Sequence, residues 1–312
     1  MAFQSRSRRE TQAVYLVASH VVSSRDDAPN GVTRLLAIIG DPIAQVRAPA
    51  FWSAVFRARG MNRLCIPVHA APADLPRVLD GLKAMHNVDG IIATVPHKVA
   101  ALRHVDHLSP AAARIGAINV MRPEADGTWS GDMFDGIGFV AGLAANGIAV
   151  DARSVLLVGA GGAGTAVAVA LADAGAREIT VFDADPERAL RLRDKLTAHG
   201  GPDVHCTPAP DPAGVDLVIN ATPLGMRSTD SLPLPVDDIR PETVVADVIM
   251  KPMRTALLEA AARRGCRTHT GVHMMDHQTP LFAEFFRFPA HDWSVAAIRR
   301  LLDKEQSPGG CR

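Results

Sequence analysis

The chain has 312 residues, 47% hydrophobic and 21% charged, proportions of a folded globular protein long enough for two domains. Its 33 Lys and Arg balance 33 Asp and Glu, so neither nucleic acid nor an anionic membrane surface finds electrostatic support as a partner. Cys65, Cys206, Cys266 and Cys311 show no paired spacing and read as thiols of a reducing compartment, which makes a cytoplasmic location the expectation.

Arg6, Arg8 and Arg9 precede an apolar stretch over 13–22 that Ser19 and His20 interrupt. A secretory signal has this order, but the stretch is short and polar-spotted and no A-x-A site follows. Residues 1–32 are therefore expected to be a flexible extension ahead of a domain that begins near Thr33. No later segment has the ~20 apolar residues needed to span a bilayer.

From Arg34 the pattern alternates. Strands are expected over 35–39, 62–68 and 90–94, and helices over 50–59 and 75–85, the latter with apolar residues at helical spacing. Helical turns are expected over 99–108 and from Ala111, and a strand pair over 118–122 and 128–131 around the turn Ala125-Asp126-Gly127. A helix over 135–146 leads into the second half. There, strands are expected over 155–158, 178–182, 218–221, 244–248 and 266–268, with helices over 164–174 and 186–199. Helices over 274–288 and 294–302 close the chain and are expected to pack back on the first domain. Such alternation implies parallel sheets with right-handed crossovers.

The most informative segment is Val155-Leu156-Leu157-Val158 followed by Gly159-Ala160-Gly161-Gly162-Ala163-Gly164. It reads as strand, tight turn and helix. Glycines let the backbone approach a pyrophosphate, and the helix N-terminus offers it free N–H groups and the positive end of a dipole. About 20 residues on, a second β-run ends in Asp183, where an acid binds the ribose hydroxyls of NAD and repels the 2′-phosphate of NADP. Lys98 and Asp135, each at a loop end, are candidates to meet across a cleft. A lysine in a partly dry cleft can take the proton of a carbinol undergoing oxidation, with a carboxylate to orient it.

Together these motifs resemble the shikimate/quinate dehydrogenase family. The resemblance runs from Leu36 to Phe288 through Gly40-Asp41-Pro42-Ile43-Ala44, Thr94-Val95-Pro96-His97-Lys98, Gly116-Ala117-Ile118-Asn119 and Gly131-Asp132…Asp135-Gly136. It continues through the glycine loop, Asn220-Ala221-Thr222-Pro223-Leu224-Gly225-Met226, Asp247…Pro252 and Gly271…Met274…Gln278. It implies that Lys98 and Asp135 form the catalytic pair and that Thr94, Asn119 and Gln278 hydrogen-bond substrate hydroxyls. It also implies that Ala221, Thr222, Pro223, Val248, Met250, Gly271 and Met274 lie on the nicotinamide side, and makes a homodimer plausible.

Departures from the family pattern are as informative. Val46 and Ala48 stand where two serines hold the substrate carboxylate, Met250 where a tyrosine is expected, and Ile92 in place of an asparagine. His273 replaces a glycine, and Met133-Phe134 replaces Asn-Thr. A carboxylate facing Val46 and Ala48 loses its hydrogen bonds, at roughly 1–3 kcal/mol or more each. Arg47 can supply a replacement charge only by turning inward. NADP-using relatives carry Asn-Arg-Thr where this chain has Asp183-Ala184-Asp185, so NAD is the expected cofactor, with Arg188 within reach of adenine or phosphate.

His273 and His277 stand at i, i+4, but the glutamate of a zinc-protease helix and a third ligand are missing, so no metal site is expected. The expected architecture is α/β. An N-terminal substrate domain with a mainly parallel sheet, 33–135 with 275–304, adjoins a Rossmann-type doubly wound NAD domain, 136–274. The expected activity is hydride transfer between NAD and a shikimate/quinate-like cyclic polyol or hydroxy acid, either different from shikimate or bound in another pose. Two other readings stay open: a catalytically weak NAD-binding ligand sensor of the same fold, and a methylene-tetrahydrofolate-type dehydrogenase.

Overall fold

A computed structural model describes residues 28–198 and 200–306. Most of the extension expected over 1–32, and Cys311, lie outside the described residues.

Two six-stranded sheets organise the chain. The first runs in the order β2-β1-β3-β5-β6-β4. Its strands are β1 (Arg34–Gly40), β2 (Arg63–His69), β3 (Val88–Ala93), β4 (His107–Leu108), β5 (Val120–Pro123) and β6 (Trp129–Asp132). β1 pairs in parallel with β2 and β3, whereas β5 is antiparallel to both β3 and β6. The second sheet, in the order β12-β11-β10-β7-β8-β9, is parallel throughout. Its strands are β7 (Ser154–Val158), β8 (Glu178–Phe182), β9 (Asp203–Cys206), β10 (Leu217–Asn220), β11 (Val244–Asp247) and β12 (Thr268–His269). Read from β9 this is the doubly wound order, and its switch point, where ligands bind in such sheets, falls between β7 and β10. β7 is buried along its whole length, as a central strand covered on both faces requires.

The helices are α1 (Ala48–Ala58), α2 (Leu75–Lys83), α3 (Lys98–Ala101), α4 (Pro110–Ile115), α5 (Asp135–Ala145), α6 (Gly162–Asp173), α7 (Pro186–Thr197), α8 (Ala256–Arg263), α9 (Val272–Phe285) and α10 (Val295–Gln306). α5 joins the two halves, and its glycines explain how closely it is held. A Cβ on Gly136 would lie 2.0 Å from Ala166 O of α6, and one on Gly138 would lie 2.6 Å from Gln278 Cγ of α9. One hydrophobic core continues through α5, by Phe139 and Leu143, from the first sheet to the second. A separate aromatic cluster, with Trp52, Phe56, Phe282, Phe286 and Phe288, fills the space between the other face of the first sheet and α1 and α9.

Three local expectations change. The helix expected over 99–108 ends in a tight turn at Leu102–His104, and His107–Leu108 is a strand beside β6. Asp106 draws the chain onto the sheet: its amide donates to Trp129 O at 2.8 Å, and its carboxylate accepts from Trp129 N at 2.8 Å. The helix expected over 274–288 spans Val272–Phe285, and the strand expected over 266–268 is Thr268–His269. β9 and α8 were not anticipated. β9 is an edge strand whose sequence, Asp-Val-His-Cys, buries only Val204.

Candidate active site

β3 delivers the chain to the loop 94–97, and the buried His97 pins that loop by donating from Nε2 to Ala70 O at 2.8 Å. Lys98 follows as the first residue of α3. Its backbone carbonyl accepts from Ile118 N at 2.9 Å, tying it to the segment that carries Asn119. Its ammonium is hydrogen-bonded to Asp135 Oδ2, with 12% and 3% of the two side chains exposed. Asp135 opens α5, where the positive end of the helix dipole favours a carboxylate.

The second carboxylate oxygen is also occupied. Asp135 Oδ1 accepts from Asn119 Nδ2 at 2.8 Å and from Gln278 Nε2 at 2.9 Å. Asn119 in turn accepts from Phe134 N at 3.0 Å. Asn119 and Gln278, expected to face substrate hydroxyls, thus direct their amide nitrogens at the carboxylate. The physical reason is burial: with lysine alone, Oδ1 would be left unpaired, which costs several kcal/mol for a charged group. Thr94 lines the cavity, and its hydroxyl has no hydrogen-bond partner among the described residues.

This cavity gathers most of the residues singled out from sequence. Lys98, Asp135, Asn119, Gln278 and Thr94 line it, as do Val46, Ala48 and Met250. On the side of the second sheet it meets Ala163, Ala221, Thr222, Pro223, Val248 and Met274. On the side of the first sheet it meets Ile38, Trp52, Ile92 and Phe282; of these, Ile38, Trp52 and Phe282 carried no local signal in the sequence. Arg47 and Lys251 reach it from exposed positions.

The loop after β7 lies beside the pair. Gly159 takes φ +106°, and a Cβ on Gly164 would lie 2.0 Å from Gly159 O, so the turn is as tight as its glycines allow. A Cβ on Gly162 would lie 3.3 Å from Lys98 Cβ, whereas nothing lies within 4 Å of that position on Gly161. The first amides of α6 have no acceptor within the helix. Open space over Gly161 and free N–H groups at a helix head fit a pyrophosphate. Asp183 closes the turn: Oδ2 accepts from Ala160 N at 2.7 Å and Oδ1 from Asp185 N at 2.9 Å. Gly159, Ala160, Gly161, Gly162, Asp183, Ala184, Arg188 and Gly271 lie off the cavity itself. Arg188 is exposed and pairs with Asp185 at 3.3 Å. Gly271 lets α9 start against β11's exit, since a Cβ there would lie 2.4 Å from Val248 O.

A buried network holds the wall at Thr222. Asn220 Oδ1 accepts from Thr222 N at 3.0 Å and Thr222 Oγ1 at 2.7 Å, while its amide donates to Asp247 Oδ2 at 3.2 Å. Asp247 also accepts from Ile249 N and Thr255 Oγ1, both at 2.8 Å. Burial nevertheless pushes its carboxyl up to about 6, outweighing these donors. His273 is not on the cavity. It lies against Gly142 of α5 and stacks on the buried His269, ring centroids 4.8 Å apart. Burial lowers His269 to about 4. Among the described residues no group of three or more His, Cys, Asp or Glu is placed to hold a metal ion. No helix among them is long and apolar enough to cross a membrane.

Comparison with known proteins agrees with this arrangement. Residues 38–121 match the shikimate dehydrogenase substrate-binding domain, and residues 143–222 match the shikimate/quinate 5-dehydrogenase model. A relative from Rubrobacter xylanophilus, named shikimate dehydrogenase (NADP(+)), is 38% identical over 282 residues, covering 88% of this chain and 98% of its own. The solved quinate dehydrogenase from Corynebacterium glutamicum in complex with NAD is 32% identical with a TM-score of 0.75, covering 86% of this chain and 98% of that one. The ligand-free 5-ketofructose reductase of Gluconobacter sp. is 30% identical with a TM-score of 0.73, covering 88% and 99%. On sequence, fold and the two matched domains, the chain belongs to the shikimate dehydrogenase family.

Proposed function

We propose that this protein is a nicotinamide-dinucleotide-dependent dehydrogenase acting on a CH–OH group of a hydroxylated cyclic compound. In this reading residues 33–135 with 275–304 bind substrate and residues 136–274 bind the dinucleotide, in the cytoplasm. One observation carries the reading: the buried Lys98–Asp135 pair lines the same cavity as Ala163 at the head of α6 and Thr222 beyond the switch point. A nicotinamide dinucleotide bound along the glycine loop supplies the hydride acceptor or donor. Lys98 Nζ passes a proton to Asp135 Oδ2 along their hydrogen bond and takes the carbinol proton in its place, so the proton ends on the pair as the hydride leaves. Asn119 and Gln278 hold the carboxylate in place, which leaves the Gln278 carbonyl and the Thr94 hydroxyl to orient substrate hydroxyls.

The same reading assigns NAD as the preferred cofactor. The Asp183 carboxylate at the end of β8, with Asp185 two residues on, repels a 2′-phosphate, and Arg188 is engaged by Asp185. A KM for NADP below that for NAD refutes this assignment. Shikimate is not the preferred substrate, because Val46 and Ala48 offer its carboxylate no donor. That the 5-ketofructose reductase, named for a sugar without a carboxylate, shares this fold is consistent with such a change. Replacing Lys98 by Met tests the core of the proposal. Turnover should fall about 10²–10⁴-fold, while NAD binding, read by fluorescence titration, should persist. Unchanged turnover refutes it. Ligand binding without turnover of any cyclic alcohol favours the sensor reading, which the altered serine positions motivate.

A further inference from the structure

The substrate side of the cavity has its own chemistry. Ile38 from β1, Ile92 from β3, Val46 before α1 and Ala48 at its start form one wall. Val46 and Ala48 lie against the aromatic cluster in which Trp52 and Phe282 stack, centroids 6.2 Å apart and planes 5° from parallel. None of these four side chains carries a hydrogen-bond donor, and the Trp52 ring beside them, 2% exposed, brings one indole N–H. The nearby cations do not complete a carboxylate seat. Lys98 is engaged by Asp135, and Arg47 and Lys251 are exposed. At the head of α1, Pro49 lacks an N–H and Phe51 N already donates to Arg47 O at 3.0 Å.

We propose that Ile38, Val46, Ala48 and Ile92, backed by Trp52 and Phe282, form a seat for an uncharged, carbon-rich end of the substrate, so that the ring compound turned over carries no carboxylate there. This rests on the dehydrogenase reading and narrows its substrate class. A carboxylate in this seat leaves water without recovering hydrogen bonds, whereas an ester or alkyl group leaves water at little cost. Polar recognition falls to Thr94, Gln278 and the Lys98–Asp135 pair.

The matched probes are shikimate and its methyl ester, which differ at the end in question by one charge and one methyl group. Each is assayed with NAD for kcat/KM, and for binding by calorimetry with NAD present. The ester is expected to be favoured by roughly tenfold to a hundredfold in both readouts. In the double variant Val46→Ser/Ala48→Ser the preference should shift toward the acid by a comparable factor. Arg47→Ala should change the ratio less than twofold. Equal or better binding of the acid by the unaltered protein overturns the seat, as does failure of both probes to bind. Loss of acid binding in Arg47→Ala overturns it in favour of a carboxylate held by that guanidinium. If neither probe is turned over, the binding ratio still decides whether the seat rejects a carboxylate, and the dehydrogenase reading is judged separately on turnover of other cyclic alcohols.

Discussion

Gly136 follows Asp135 on α5, and replacing it with alanine tests how the acid is held. An isolated helix gains about 0.5–1 kcal/mol from such a change. Here the added Cβ would lie 2.0 Å from the Ala166 carbonyl oxygen and 2.9 Å from Ala170 Cβ. An ordinary carbon–oxygen contact is about 3.3 Å, so α5 and α6 must separate by roughly 1.3 Å. The first contact is backbone and cannot rotate away. Overpacking of this kind costs about 1–3 kcal/mol, enough to reverse the propensity gain. The shift also moves Asp135 relative to Lys98, and a misplacement of about 1 Å can lower turnover by ~10²-fold. Gly81 of α2 is the internal control, because nothing lies within 4 Å of its Cβ position. Gly81→Ala should raise the Tm by about 1–2 °C and leave turnover alone. Gly136→Ala should lower the Tm and lose turnover about a hundredfold. Differential scanning calorimetry and steady-state kinetics read both. A Gly136→Ala protein as stable and as active as the parent would show that α5 is not held against α6 as described.

Two buried groups give opposite pH slopes in one window. Asp247, raised from 3.8 to about 6, binds more protons folded than unfolded, so its contribution to stability is lost as pH rises from about 4 to 6. His269, lowered from 6.5 to about 4, binds fewer, so stability is lost as pH falls through the same range. Each effect is of order 3 kcal/mol. Asp247→Asn removes the first slope, and its Tm should fall more steeply than the parent's between pH 6 and 4; parallel curves would contradict the opposed pair. Asn119→Ala removes one donor from Asp135 and the acceptor of Phe134 N. It should cost about 1–3 kcal/mol by denaturant titration and lower kcat more than it raises KM. A rise in KM alone would mean that Asn119 serves the substrate rather than the acid.

The linear order of residues determined more of this protein than its modest similarity to solved relatives suggests. Alternating apolar runs and helical patterns gave away the α/β plan because backbone pairing and side-chain burial have fixed periods. The glycine loop was legible because close backbone approach excludes a Cβ, as at Gly159 and Gly164. The family pattern singled out Lys98 and Asp135, though not who else would hold them. Tertiary structure alone decided that. Asn119 and Gln278 lie 159 positions apart in the numbering, yet their amide nitrogens converge on one carboxylate oxygen, because burial demands a partner and sequence spacing carries no record of which side chains can reach. The strand at His107–Leu108 likewise depends on Trp129, supplied by a distant partner. The apolar wall of Ile38, Ile92 and Phe282 exists only once β1, β3 and α9 are brought together. Local periodicity reports which face of an element is buried. What that face meets is set by packing across the whole fold.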